Sequence, residues 1–249
     1  MAQAAQIVPF PRALPRLFLV LLLLGCARPG RAAFDPPRII LVYSPEDAVR
    51  QPQAVRTYYL DKGLDNRIDR GDVLNVYREK RGVAGAPGVR IFIGTMKIKS
   101  VEPDLALGHF TGNEAAMANT GIRHHTAMKS DLAVPVLVIE ADVLFDAGMM
   151  SLKPAATQEF QRVSDFVDEY EPDRLVIEGH TDADGDAEAN QALSDARAQA
   201  VRQYLIETFP SITPAMIDSR GYGDRRPAAP NDTPENKALN RRIEIIVWD

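Results

Sequence analysis

Leu175-Val176-Ile177-Glu178-Gly179-His180-Thr181-Asp182-Ala183-Asp184-Gly185-Asp186 is the stretch whose reading decides the fold. It opens on a short apolar, β-branched run, the mark of a buried strand. It then turns polar and acidic. From Ala187 to Thr208 the chain carries Asn190, Leu193, Ser194, Arg197, Val201 and Tyr204 at spacings of three and four, which is one side of a helix. Strand, polar loop and helix make an α/β unit. In such folds ligand sites lie in the loops at the carboxyl ends of strands. Asn190 and Arg197, two turns apart, can both approach the loop that holds Asp182.

Working outward, the same texture fills residues 131–249. Val134 to Ile139 begins a buried strand that continues toward Phe145. Pro154 opens a helix, since its fixed φ suits a first turn, and Phe160, Val163, Phe166, Val167 and Tyr170 follow at helical spacing. Pro172 ends it. Ile243 to Trp248 is a closing strand. Strands alternating with helices argue for an α/β sandwich. Toward the amino end, residues 38–130 read differently. Ile39–Tyr43, Asp72–Arg78, Val89–Gly94 and Met96–Val101 are strand-like, with turn signals at Lys62-Gly63, Arg70-Gly71-Asp72 and Ala86-Pro87-Gly88. Short strands with glycine-rich turns predict a small all-β barrel or sandwich.

The residues of the opening stretch also carry a resemblance. Gly179-His180-Thr181-Asp182, then Asn190, Leu193-Ser194, Arg197-Ala198, Val201 and Leu205, then Gly221-Tyr222-Gly223 and Pro227, then Asn231, Thr233 and Asn240-Arg241-Arg242 occur in the order of one family. Together, over residues 134–248, they resemble the C-terminal domain shared by OmpA, the peptidoglycan-associated lipoproteins and the flagellar stator protein MotB. The resemblance implies a βαβαββ sandwich that binds the peptide stem of peptidoglycan, chiefly its diaminopimelate, without cutting it. It implies Asp182 and Arg197 as principal contacts, with Thr181, Asn190 and Leu193 beside them. Either Arg241 or Arg242 adds to the anionic side, and the motif leaves that choice open. The chemistry is coherent: a carboxylate accepts from the ammonium of a zwitterion, and a guanidinium holds its carboxylate in a two-pronged bond. One departure stands out. Asn236-Lys237 occupies a place where the family often has Gly-Arg, and Asn, which tolerates left-handed backbone, is expected to keep a turn there. Residues 58–74 are also similar to the SH3-like barrel of flagellar assembly protein T.

The amino end reads as an address. Arg12 and Arg16 precede the apolar run Leu17 to Leu24, followed by Gly25-Cys26. A positive region before a short apolar one is a secretory signal, and the run is far shorter than the about 20 residues that span a bilayer. Leu23-Leu24-Gly25-Cys26 resembles the lipobox of bacterial lipoproteins. It implies a signal peptide over residues 1–25 and a mature chain that begins at an acylated Cys26. Residues 26–37, with Pro29, Gly30, Pro36 and Pro37, form a tether. Ala27 favours the outer membrane, facing the periplasm. A plain secretory signal cut near Ala32-Ala33 is the competing reading.

Composition bounds the rest. The net charge of −5 over 249 residues disfavours nucleic-acid binding, which needs clustered Lys and Arg. Cys26 is the only cysteine, so no internal disulfide and no cysteine-based zinc site can form. Asp182, Asp184 and Asp186 imitate a calcium loop, but Ala187 and Leu193 stand where Gly and Glu are required. His109, His124 and His125 read as solvated loop residues. No nucleophile accompanies His180 and its acids, so an Asp/Arg pair suits binding more than catalysis. Outside the motif, a simpler reading exists: Asp182 caps the helix and Arg197 pairs with it across a solvated face. The expectation is a non-enzymatic envelope protein, without cofactor or metal, that tethers membrane to wall. The alternative is a wall-anchored subunit of a flagellar or secretion assembly, with residues 38–130 binding a protein partner.

Overall fold

Five strands form from the alternating stretches of the first half: β1 (Ile39–Tyr43), β2 (Thr57–Leu60), β3 (Val73–Lys80), β4 (Val89–Val101) and β5 (Ala106–Gly112). The computed structural model describes residues 34–44, 56–80, 89–113 and 126–248. Cys26, the run Leu17 to Leu24, the Ala86-Pro87-Gly88 turn, His124 and His125 lie outside the described residues. β4 unites the two strands expected at 89–94 and 96–101. They are joined by a bulge at Gly94, where φ is +153° and the register with β3 shifts. A Cβ at Gly94 would stand 2.2 Å from the Thr111 carbonyl oxygen, so the bend requires glycine. His109, expected in a loop, lies on β5 opposite Lys97.

These strands pair antiparallel in the order β1-β2-β5-β4-β3, and β3 then pairs with β6 (Leu132–Glu140). The ring closes between the first residues of β6 and those leading into β1. Ile39 N donates to Asp131 O (3.0 Å), Ser130 N to Ile39 O (2.7 Å) and Ala133 N to Pro37 O (2.8 Å). Closure removes exposed edges, and Leu60, Leu74, Val76, Met96, Ile98 and Ala106 fill the interior. β6 then changes partner. Its residues up to Pro135 pair with β3, and from Val136 it pairs with β9 (Arg242–Trp248). Pro135, which has no N–H to give a ladder, stands at that changeover.

The strand expected to run on toward Phe145 stops at Glu140 and turns into a short helix, α1 (Ala141–Leu144). Pro154 opens a 3-10 turn (Pro154–Ala156) that leads into α2 (Thr157–Tyr170). β7 (Arg174–Gly179), α3 (Ala187–Thr208), β8 (Ile217–Gly221) and α4 (Pro234–Asn240) follow. β9 lies between β6 and β7, and β8 pairs parallel with β7. Phe160 and Val163 of α2 and Ala198, Val201 and Leu205 of α3 pack on Leu175, Ile177, Ile243 and Ile245. A separate cluster joins Val176 and Ile246 to Tyr77, Val134 and Val136. Tyr77 meets Trp248 and Phe92 edge-on at 5.5 and 5.7 Å. Thus the regions on either side of residue 130 keep cores of their own, yet the ladder runs unbroken from one to the other. The described residues belong to one compact unit. Among the described residues, no helix is long and apolar enough to cross a membrane.

Candidate functional site

The loop after β7 is held from both sides. His180 N donates to Arg242 O (2.9 Å) and Thr181 N to Gly223 O (3.0 Å). Asp182 Oδ1 accepts from Asp184 N (3.2 Å), and Ala183 N donates to Asn231 Oδ1 (3.0 Å). Asn190 donates through Nδ2 to the carbonyls of Asp182 (3.3 Å) and Asp184 (3.0 Å), so its role is to set the loop. The residue that caps α3 is Asp186, which accepts from Glu188 N and Ala189 N. Asp182 is therefore released from the capping duty of the simpler reading, and Arg197 does not pair with it.

A cleft of about 420 Å³ opens beside this loop. Asp182, Thr181, Asn190, Leu193, Arg197 and Arg241 all line it, and Asp142 and Phe145 supply the facing wall. Arg197 lies over the Phe145 ring (5.0 Å) and donates to the carbonyls of Met149 (2.9 Å) and Asp146 (3.3 Å). Burial lowers its pKa against the pull of nearby Asp142 and Asp182, and among the described residues no carboxylate lies within ion-pair distance of it. Arg241 bridges two acids: Nη1 meets Asp182 Oδ2 at 2.8 Å and Nη2 meets Asp142 Oδ2 at 2.7 Å. Its hydrogen bonds hold the Asp142 carboxyl below the usual range. Thr181 Oγ1 is buried without a hydrogen-bond partner among the described residues. The cleft thus offers a carboxylate, a fixed guanidinium and an unspent hydroxyl, which is the chemistry of zwitterion recognition.

Arg242 lies elsewhere. It is buried and bonded to Glu244, Nε to Oε1 at 2.7 Å. Of the two arginines left open by the motif, Arg241 is the one in the cleft. Asn236 sits inside α4 rather than in a left-handed turn, and Lys237 reaches Asp184 Oδ1 at 2.7 Å. Asp142 and the Asp146–Met149 carbonyls were not expected in the site. They come from a different strand connection, and no local motif ties them to Asp182.

Behind the loop, Glu178, His180 and Glu244 offer ligand atoms within 4.8 Å of one another. Arg226 and Arg242 already donate to these carboxylate oxygens. His180 Nε2 stands 3.9 Å from each carboxylate, too far apart for bonds of about 2.0–2.2 Å at ordinary angles. A divalent cation would also add charge beside clustered guanidiniums. The cluster is a buried ion-pair network. Burial first, and Arg242 second, push His180 down to about 3, so it is neutral. Burial pushes Glu244 up, but the Arg242 guanidinium and the hydrogen bonds from Asn75 and Arg242 outweigh it and hold it at about 2.

Residues 144–241 match the OmpA family model. This segment is an OmpA-family domain. The OmpA-family segment runs from the end of α1 to the residue before β9, and so contains most of the cleft. Outer membrane porin F of Pseudomonas aeruginosa is 36% identical over 112 residues, 45% of this chain and 32% of that protein. The peptidoglycan-associated lipoprotein of Pseudomonas aeruginosa is 42% identical over 72 residues, 29% of this chain and 42% of that protein. The chain spans less than half of either relative. Among solved structures, the cell wall anchor of the T6SS from Pseudomonas aeruginosa is 28% identical, with a TM-score of 0.43, over 49% of this chain and 86% of that one.

Proposed function

We propose that this chain is a non-enzymatic envelope protein that binds the peptide stem of peptidoglycan in the Asp182–Arg197 cleft. The observation that carries the reading is the cleft itself: Asp182 and Arg197 line one cavity without pairing to each other. Diaminopimelate ends in an ammonium and a carboxylate. Asp182 accepts from the ammonium, which displaces one arm of Arg241. Arg197, already oriented by two carbonyls and the Phe145 ring, holds the carboxylate. Thr181 Oγ1 gains a partner. The similarity to a peptidoglycan-associated lipoprotein supports this reading. The lipobox-like Leu23-Leu24-Gly25-Cys26 supports a lipid anchor at Cys26 in the outer membrane. Two acyl chains there, at about 0.8 kcal/mol per buried CH₂, give a durable hold.

Calorimetric titration with a diaminopimelate tripeptide tests the ligand. The expected result is saturable binding that weakens on the order of a hundredfold in Arg197→Ala, since truncating a desolvated charge partner costs about 2–5 kcal/mol. A stem with lysine in place of diaminopimelate lacks the terminal carboxylate and is expected to bind no better than that variant. Equal affinity for the two stems contradicts the assignment. For the anchor, Cys26→Ala is expected to leave the membrane fraction, and its complete retention there argues against acylation.

A further inference from the structure

We propose, resting on the peptidoglycan reading above, that Arg241 is a gate on Asp182 rather than a second contact for the ligand carboxylate, and that Asp142 is the positioning residue that holds this gate when the ligand enters. Arg241 touches both acids, but unequally. It meets Asp142 with two prongs, Nε to Oδ1 and Oδ2 at 3.2 Å and Nη2 to Oδ2 at 2.7 Å. It meets Asp182 with one, Nη1 to Oδ2 at 2.8 Å. A two-pronged bond is the stronger and more strictly oriented of the two. The contact that yields to an incoming ammonium is therefore the one at Asp182, and Arg241 stays on Asp142.

Both oxygens of Asp182 are engaged within the chain. Oδ1 accepts from Asp184 N at 3.2 Å, and Oδ2 accepts from Arg241. A ligand ammonium thus competes with Arg241 for Oδ2. The ligand carboxylate has a better host than Arg241, whose charge is already shared by two acids. Arg197 gives Nε and Nη2 to backbone carbonyls, and among the described residues its Nη1 is uncommitted. A guanidinium facing only carbonyls gains more from a carboxylate than one already paired.

The fold places this gate from three elements. Asp142 stands on α1, Asp182 in the loop after β7, and Arg241 at the end of α4. Ala141 N donates to Arg241 O at 2.8 Å, so the backbones of the gate and its holder are fastened whatever side chains they carry. Lys153 leaves the Asp142 carboxylate to Arg241: its Nζ donates to the Asp142 carbonyl (2.8 Å) and pairs with Asp146 Oδ1 (3.2 Å). Asp142 also precedes the OmpA-family segment, residues 144–241, so the holder is set by this chain's own α1.

A double-mutant cycle tests this, with calorimetric titration of the full chain by the diaminopimelate tripeptide. Arg241→Gln is expected to tighten binding about fivefold, because Asp182 loses its competitor, and Asp142→Asn to weaken it about tenfold, because Arg241 then settles on Asp182. The double variant is expected to bind like Arg241→Gln, since Asp142 acts only through Arg241. A long-range charge effect of Asp142 gives additive changes instead, and additivity overturns the proposal. Weaker binding in Arg241→Gln, the mark of a direct ligand contact, overturns it too. Circular dichroism accompanies each variant. Should Arg241→Gln fail to fold, Asp142→Asn and Asp142→Glu decide: the first is expected to weaken binding and the second to restore it, and equal affinity of Asp142→Asn and the parent contradicts the gate. Absence of binding by the folded parent overturns the peptidoglycan reading and the gate together, whereas parent binding with additive effects overturns the gate alone.

Discussion

Among the described residues, His180 finds no hydrogen-bond partner at either ring nitrogen, although it is 2% exposed. Its pKa falls from 6.5 to about 3 in the fold, so below pH 6.5 the unfolded chain takes up a proton that the folded chain refuses. Stability is therefore expected to drop as pH falls from 7 to 5, by at most about 1.4 kcal/mol per pH unit from this one group. Glu244, held at about 2, adds a loss in the same direction below its ordinary 4.5. Glu178, which burial raises, works the other way by taking its proton first in the folded state. Thermal melts of His180→Gln are expected to show a flatter dependence between pH 7 and 5, and an unchanged slope would remove His180 as the cause. The spacing of Asp182, Asn190 and Arg197 was readable in the sequence because a helix of period 3.6 fixes which residues face the loop. The choice between Arg241 and Arg242 was not. It depends on the residue at which α4 gives way to β9, and in a strand a shift of one residue exchanges the two faces.

The element that aims the cleft is α3, and two glycines set its height above the sheet. A Cβ at Gly179 would stand 2.4 Å from the Ser194 carbonyl oxygen, and one at Gly221 would stand 2.3 Å from Ser194 Oγ. Ser194 in turn accepts from Gly223 N at 2.8 Å. Gly179→Ala is thus expected to lift α3, costing about 1–3 kcal/mol as overpacking does, and to weaken ligand binding because Asn190 and Arg197 move with the helix. A melting temperature and affinity equal to those of the parent would show that the contact relaxes freely. The bounds of α3 were legible because Asn190, Leu193, Arg197, Val201 and Tyr204 keep helical spacing along it; its cap was not, since the sequence offered Asp182 and the structure has Asp186. β8 was not: Ile217-Asp218-Ser219-Arg220-Gly221 is short and polar, and its place comes from parallel pairing with β7. α4 hid for a similar reason, being seven residues long. The β4 bulge hid because Gly94 reads equally well as a turn.

At the scale of the molecule, a ring of strands and an α/β sandwich share β6, and Tyr77, Trp248 and Val136 seal the seam between them. This continuity could not be read from the sequence, because strand order is a property of pairings between distant residues. It predicts that calorimetry shows a single cooperative melting transition. Two well-separated transitions would mean that the ladder from β3 to β6 transmits little. The charge pattern completes the account: one cleft is lined by Asp182, Asp142, Arg197 and Arg241, of mixed sign, and another by Arg90, Arg220 and Arg226 with Glu79. The most direct test of the central claim is co-sedimentation of the full chain with insoluble diaminopimelate-type peptidoglycan. The parent protein is expected to pellet with the wall. Asp182→Ala and Arg197→Ala are expected to stay in the supernatant while retaining the parent circular dichroism spectrum. Pelleting of both folded variants to the same extent as the parent would contradict it.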